Sequence, residues 1–292
     1  MDSGSLAVFA VVAASGSMNR AAEGLHTVQS NVTRQVRRLE AELGTELFHR
    51  HSRGVELTDA GHRLLPYAIS LGNLLEDAER AVRDDGEPTG PLVIGSLETT
   101  AALRLPPVLA AFTRAYPRVD VTLVTDTTAG SVARVLAHGV QGAFVCGPIV
   151  HPDLDEQQIF TERLVIVTAP HVRSIHDVAA DPDLRVVVFR VGCSYRQRLE
   201  TYLASRGIAA RRTLEFGTVG GILGCVAAGI GITLLPWSVV EPARLAGRVA
   251  VHELTSGESL VSTVFIRRQD RYVSSAVTQF LAVAQRHYAD AT

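Results

Sequence analysis

No lysine occurs in the 292 residues, so all 28 basic side chains are arginine and arginine carries every fixed positive charge. That absence reads as a bias of genome composition. Cysteine is nearly as scarce. Cys146, Cys193 and Cys225 are odd in number and lack C-x-x-C spacing, which excludes a disulfide scaffold and argues for a reducing compartment. Leu6 to Ala14 could pass for the apolar core of a secretory leader, but the preceding MDSGS holds an aspartate and no basic side chain. The longest apolar run, Ile222 to Leu235, is shorter than the ~18 residues a membrane span needs. The chain is therefore expected to be soluble and cytoplasmic, with no membrane partner. Catalytic fingerprints are missing too. There is no G-x-S-x-G and no G-x-x-x-x-G-K, and Gly229-x-Gly231 lacks a third glycine and precedes a strand, so no enzyme and no catalytic residue is expected. His49-x-His51 has no carboxylate or thiolate partner beside it in sequence, and neither a metal nor a cofactor is expected.

What is present is a chain with 47% apolar residues, enough for two or three domains, and a formal charge of -2. That charge excludes a uniformly basic protein, so nucleic-acid contact would have to rest on a local patch. Residues 34–53 supply one, with Arg34, Arg37, Arg38, Arg50 and Arg53 against Glu40, Glu42 and Glu46. Around it the sequence predicts two short helices and a tight turn. Ser17 caps a helix over about Met18–Leu25, His26-Thr27 makes the turn, and a second helix runs over about Val28–Glu42 with Val32, Val36, Leu39 and Leu43 at helical spacing. The opposite face carries Gln29, Ser30, Asn31, Thr33, Arg34, Arg37 and Arg38, donors suited to base edges and phosphates in a major groove. Arg53 in the following loop is placed to enter a minor groove or clamp the backbone. The expected partner is double-stranded DNA.

Residues 1–58 form this head. Over 59–86, Leu64, Leu65, Ala68, Leu71, Leu74, Leu75, Ala78 and Val82 recur at three- and four-residue steps, a stripe that predicts a linker helix pairing with a second copy. The alternative is a helix lying on its own domain. Residues 87–91 break the pattern as a hinge, and 92–292 alternate strand and helix in two similar halves. The first lobe is placed at about 92–163 and 265–292, the second at about 164–264, with a largely parallel sheet. Ligands of such lobes bind beyond the carboxyl ends of the strands. The candidate residues are Ser96, Thr99, Thr100, Thr127, Thr128 and Cys146 in the first lobe, and Cys193, Ser194, Tyr195, Arg196 and Thr218 in the second. Hydroxyls, helix-start amides and one arginine favour a small anion, a carboxylate, although each hydroxyl alone also reads as a helix cap. Cys193 near a helix start offers a second reading, a redox sensor with a lowered thiol pKa. The two lobes alone would also permit a solute-binding protein.

The head motifs resemble those of the LysR-type transcriptional regulators of bacteria, and the resemblance covers essentially the whole chain. Phe9, Val12, Ala13, Gly16, Ser17, Ala21, Ala22 and Leu25 match the family's first helices. Gln29, Val32, Leu39, Glu40, Leu43, Gly44, Leu47, Phe48 and Arg50 match its recognition helix, and Arg53, Gly54, Leu57, Thr58, Ala60 and Gly61 match its wing and the helix after it. Val28 departs from the family's capping serine, and Thr27 is expected to take over that cap. The resemblance implies an α winged helix-turn-helix head, a long linker helix and an α/β two-lobed effector domain of the periplasmic-binding-protein-like type 2 fold. It also implies a homodimer through the linker helix, assembled as a homotetramer, and RNA polymerase is expected as a further partner. Arg34→Ala is predicted to cost ~1–3 kcal/mol of sequence discrimination, whereas Arg53→Ala weakens binding to all sequences evenly and flattens its salt dependence. Competition mobility shifts across a salt series check both, and an unchanged operator preference in Arg34→Ala contradicts the first.

Overall fold

The computed structural model describes residues 1–51, 54–179, 183–254, 257 and 259–289. The chain divides into two compact units, Met1–Arg83 with Ala137–Gly139, and Asp84–Leu136 with Val140–Thr292.

In the first unit, α1 (Ser3–Ser15), α2 (Met18–Gly24) and α3 (Gln29–Leu43) precede a two-stranded wing, β1 (Phe48–His51) and β2 (Gly54–Leu57), and the long helix α4 (Asp59–Arg83). Local chemistry sets each boundary. Asp2 accepts the Ser5 N–H at 2.8 Å to start α1, and Gly16 ends it in the left-handed region at φ 63°. Ser17 caps α2 as expected. Thr27 does not cap α3: its hydroxyl accepts Asn31 Nδ2 at 3.1 Å, and Val28 supplies no side-chain cap. Gly54 has φ 144°, and a Cβ there would run into the Gly16 carbonyl, whose oxygen accepts the Val55 N–H at 3.1 Å. The turn end of the wing is thereby stitched to the α1–α2 turn. The unit's core gathers Phe9, Val12, Ala21, Val32, Val36, Leu39, Leu47 and Phe48. Leu43, expected on the buried face of α3, is 39% exposed because it sits on the last turn beyond the reach of that core.

The expected stripe on α4 is split. Leu64, Leu65, Ala68 and Leu71 pack on the head's own core, whereas Leu74, Leu75 and Val82 are 47%, 46% and 86% exposed. The helix stops at Arg83 rather than at residue 86, where Asp84 and Asp85 turn their carboxylates onto the N–H groups of Gly86 and Glu87 at 3.0 Å. The hinge expected over 87–91 is also shorter, because Gly90 and Pro91 already pair with Val119 and Asp120.

The second unit opens with β3 (Gly90–Ser96), a π-helical turn over Thr100–Arg104, α5 (Leu105–Ala115), β4 (Val119–Thr125), α6 (Thr128–Leu136) and β5 (Gly142–Cys146). The long strand β6 (Leu154–Thr168) then leads into α7 (Ile175–Ala179), β7 (Arg185–Phe189), α8 (Ser194–Ser205), β8 (Arg212–Phe216), α9 (Val219–Ala227), β9 (Thr233–Pro236), α10 (Trp237–Leu245) and β10 (Ala250–Glu253). β11 (Leu260–Arg268) and α11 (Ser275–Ala289) close it. The sheet runs β10-β6-β11-β5-β3-β4, with β9 also on β6, and a bridge from Ile232 to Val186 carries it on to the parallel pair β7-β8. The expectation of a largely parallel sheet is corrected. β6 and β11 lie antiparallel to each other and to their other partners, because β6 crosses between lobes and the chain must run back through β11. β11 pairs with β6 from Leu260 onward, so the return to the first lobe begins before the expected residue 265.

Alternation along β6 explains how one strand serves two cores. Leu164 and Ile166 enter the cluster under α8, and Val165 and Val167 enter the cluster with α9 and α10, so both faces are covered and the run is wholly apolar. In the first lobe, α5 and α11 bury Phe112, Phe144, Phe265 and Phe280. Phe280 lies 5.1 Å from Phe112 and 6.2 Å from Phe144 between ring centroids, edge-on to both. Phe280→Ala is expected to cost ~3–5 kcal/mol in urea unfolding of the full chain. A loss below ~1 kcal/mol would mean that the cluster refills the cavity.

Candidate nucleic-acid interface and binding cleft

On α3 the buried and free faces are cleanly separated. Val32, Val36 and Leu39 are fully buried, while Gln29, Ser30, Arg34, Arg37 and Arg38 are exposed and Asn31 and Thr33 half-buried. The free side chains brace one another one turn apart. Gln29 Nε2 donates to Thr33 Oγ1 at 2.9 Å, Arg34 to Asn31 Oδ1 at 2.8 Å, and Arg38 Nε to Glu42 Oε1 at 3.1 Å. These contacts hold the polar ends in an ordered row without removing them from solvent. Arg37 makes no hydrogen bond or ion pair to a described residue and lines a surface hollow with Glu40, Glu46, Phe48, His49 and Arg50.

Glu40 is the joint between this helix and the wing. Its Oε1 accepts the N–H groups of Leu47 and Phe48 at 3.0 and 3.3 Å, and its Oε2 pairs with Arg50 at 3.0 Å. Arg50 is thus occupied in holding the wing. Arg53 lies outside the described residues. On the wing His51 faces Glu56 at 3.6 Å, and among the described residues no cluster of three or more His, Cys, Asp or Glu side chains could hold a metal.

The second site is a cleft of about 470 Å³, open to solvent, between the two lobes of the second unit. Leu97, Glu98, Thr99, Thr125, Asp126 and Thr127 line it from the first lobe, and Phe189, Arg190, Cys193, Tyr195 and Gly217 from the second. Of the residues expected there, Thr99, Thr127, Cys193 and Tyr195 are brought together. The others are placed differently. Ser96 is buried and donates to the Leu97 carbonyl at 3.0 Å; Thr100 is buried behind the wall; Cys146 is buried with its thiol toward the Gly147 carbonyl at 3.9 Å. Thr128 and Ser194 join the lobes directly, hydroxyl to hydroxyl at 2.9 Å. Thr218 caps α9 through the Gly221 N–H at 3.2 Å, and Thr127 does the same for Gly130 at 3.1 Å.

Arg196, expected as the cleft's cation, turns away to Glu200 and Glu215 at 2.9 and 3.3 Å. The arginine that lines the cleft is Arg190, at the carboxyl end of β7, which the strand-end rule itself could have singled out. Glu98 and Asp126 are further lining charges outside the expected set. Glu98 reaches across the cleft, its Oε1 accepting the Val219 N–H at the start of α9 at 3.3 Å. Burial pushes its carboxyl above the usual range, against the lowering effect of that one N–H. Asp126 is occupied, by the Thr127 N–H at 2.8 Å and by Arg134 at 3.0 Å.

Behind the cleft, buried Glu162 of β6 ties the lobes together. It accepts Arg104 Nε at 3.0 Å from the π-helical turn, Ser238 Oγ at 3.3 Å from α10 and the Tyr195 hydroxyl at 3.4 Å from α8. Burial, and then the Glu162 charge, push the Tyr195 phenol well above its usual range, so it acts as a donor.

The lowered Cys193 thiol is corrected. Burial raises it, outweighing the N–H groups of Arg196 and Tyr195 that point at the sulfur, and burial raises Cys146 as well. Iodoacetamide at neutral pH is expected to alkylate the half-buried Cys225 at least about tenfold faster than Cys193 or Cys146, read by peptide mass spectrometry. Fastest labelling at Cys193 would restore the redox reading.

Two family models match the chain: the bacterial regulatory helix-turn-helix protein of the lysR family over residues 4–62, and the LysR substrate binding domain over residues 85–289. The HTH-type transcriptional regulator GltR of Bacillus subtilis (strain 168) is 42% identical over 286 residues, spanning 97% of this chain and 96% of that protein. The uncharacterized HTH-type transcriptional regulator YusT of the same organism is 41% identical over 281 residues, spanning 96% and 94%. The solved structure of full-length CbnR complexed with its target DNA superposes with a TM-score of 0.69 at 25% identity, covering 98% of this chain and 99% of that one.

Proposed function

The chain belongs to the LysR family of bacterial transcriptional regulators, and from that premise we propose which of its residues read DNA and which sense the effector. The DNA reading rests on one observation, the exposed donor row of α3 set against a fully buried opposite face. Arg34 takes the guanine contact in the major groove, with Gln29, Ser30, Asn31 and Thr33 as shorter readers and Arg37, Arg38 and Arg53 on phosphates or the minor groove. A relative in this fold, CbnR, is solved with its target DNA.

The cleft receives a small effector carrying a carboxylate, supported by Arg190 and by the helix starts around it. The exposed Leu74, Leu75 and Val82 of α4 support a homodimer through that helix, and a homotetramer built from such dimers. Effector binding shifts lobe closure, which alters dimer packing and the spacing of DNA heads along the promoter, and a coupling of ~1–3 kcal/mol suffices. RNA polymerase is the downstream partner and the cytoplasm the compartment. Among the described residues no helix is long and apolar enough to cross a membrane. No catalytic role, metal or cofactor is assigned.

Mobility shifts of the full chain on its own upstream DNA test the reading, with expected retention at low ionic strength and loss of operator preference in Arg34→Ala. Absence of retention would overturn it. A Leu74→Glu/Leu75→Glu variant is expected to sediment as a smaller species than the parent; an unchanged sedimentation profile would remove α4 from the dimer interface.

A further inference from the structure

The cleft holds two opposite charges that the fold leaves unmatched. Oε1 of Glu98 has the single Val219 N–H, and Oε2 is sealed from solvent with no hydrogen-bond partner. Among the described residues no arginine or histidine forms an ion pair with either oxygen. A carboxylate oxygen withdrawn from water and left without a donor marks a missing partner. On the opposite lobe, Arg190 lines the same cleft and likewise makes no ion pair among the described residues. The neighbouring charges are already taken, Asp126 by Arg134 and Arg196 by Glu200 and Glu215. Leu97 and Phe189 supply apolar wall.

A ligand bearing only carboxylates would satisfy Arg190 while setting negative charge against Glu98. A bare amine would satisfy Glu98 and leave Arg190 facing a desolvated cation. We propose that the effector is a small zwitterion of the α-amino-acid type, its ammonium group received by Glu98 and its carboxylate by Arg190. This rests on the reading of the cleft as the effector site and narrows it from any small carboxylate to one that also carries a cationic donor. The raised carboxyl of Glu98 agrees, since an ammonium group is what would bring it back down. A small turn of the Glu98 carboxylate would bring Oε2 to the ammonium group while Oε1 keeps the Val219 N–H, so the loaded cleft keeps its link between the lobes.

The test uses the full chain in thermal-shift and calorimetric titrations with three matched sets of probes: the common α-amino acids, the same molecules without the amino group, and the same molecules without the carboxylate. The binding members are expected in the first set, with their deaminated and decarboxylated counterparts at least about 100-fold weaker, as befits a site whose charged groups are left unpaired by the analogue. Glu98→Gln keeps an acceptor for the Val219 N–H, so it is expected to fold, to lose at least about tenfold in affinity for the amino acid, and to narrow the gap to the deaminated acid. Arg190→Met, at an exposed position, is expected to weaken the amino acid without moving the melting temperature of the free protein. A deaminated acid that binds as tightly as its amino acid, with Glu98→Gln neutral or tighter, would overturn the zwitterion and leave the small-carboxylate effector standing. Silence from all three sets would overturn both.

Discussion

Glu162, 4% exposed on the strand that crosses between the lobes, is the contact on which the second unit is organised. A carboxylate so far from water demands donors, and here they come from three separate elements, Arg104 of the π-helical turn, Tyr195 of α8 and Ser238 of α10. Each donor brings its element against β6, so satisfying one charge fixes the back wall of the cleft from both lobes. The apolar clusters on the two faces of β6 supply the bulk of the stabilisation; the polar knot decides how the lobes meet.

The first unit uses the same physics on a smaller scale. Glu40 gathers two backbone N–H groups and Arg50, and so sets the angle between the recognition helix and the wing. The packing of Val32, Val36 and Leu39 then leaves only the polar face of α3 exposed. Positioning falls to carboxylates and apolar side chains, which leaves the exposed donors free for the recognition proposed for them. Glu98 stands apart from both architectural carboxylates. Its environment gives it one N–H where Glu162 and Glu40 have three donors each, and that shortfall is what the proposed ammonium group would make good.

Much of this was legible in the residues. The period of Val32, Val36 and Leu39 predicted the buried face of α3, the glycines and prolines after Asp84 predicted the break behind α4, and strands β4 and β5 fall where their apolar runs lie. The residue pattern alone reads as a loop where the wing lies, and only the family resemblance supplies it, because each of its strands has four residues, too few for a period to show. The antiparallel course of β6 and β11 was hidden for another reason. Strand direction is set by which distant segment supplies the hydrogen-bond partner, and local alternation carries no trace of it. The stripe on α4 illustrates the same limit, since its spacing is uniform while only its first half finds cover within the unit.

The sequence by itself determined the family, the order of head, helix and lobes, and which face of α3 is buried and which is left exposed, because each of these is written in short-range spacing. The tertiary structure alone decided which charges face the cleft. Arg196 and Arg190 lie six positions apart in the same lobe, yet one is spent on Glu200 and Glu215 and the other lines the cleft. That choice depends on where β8 lays Glu215 beside α8, a long-range contact that no local pattern encodes.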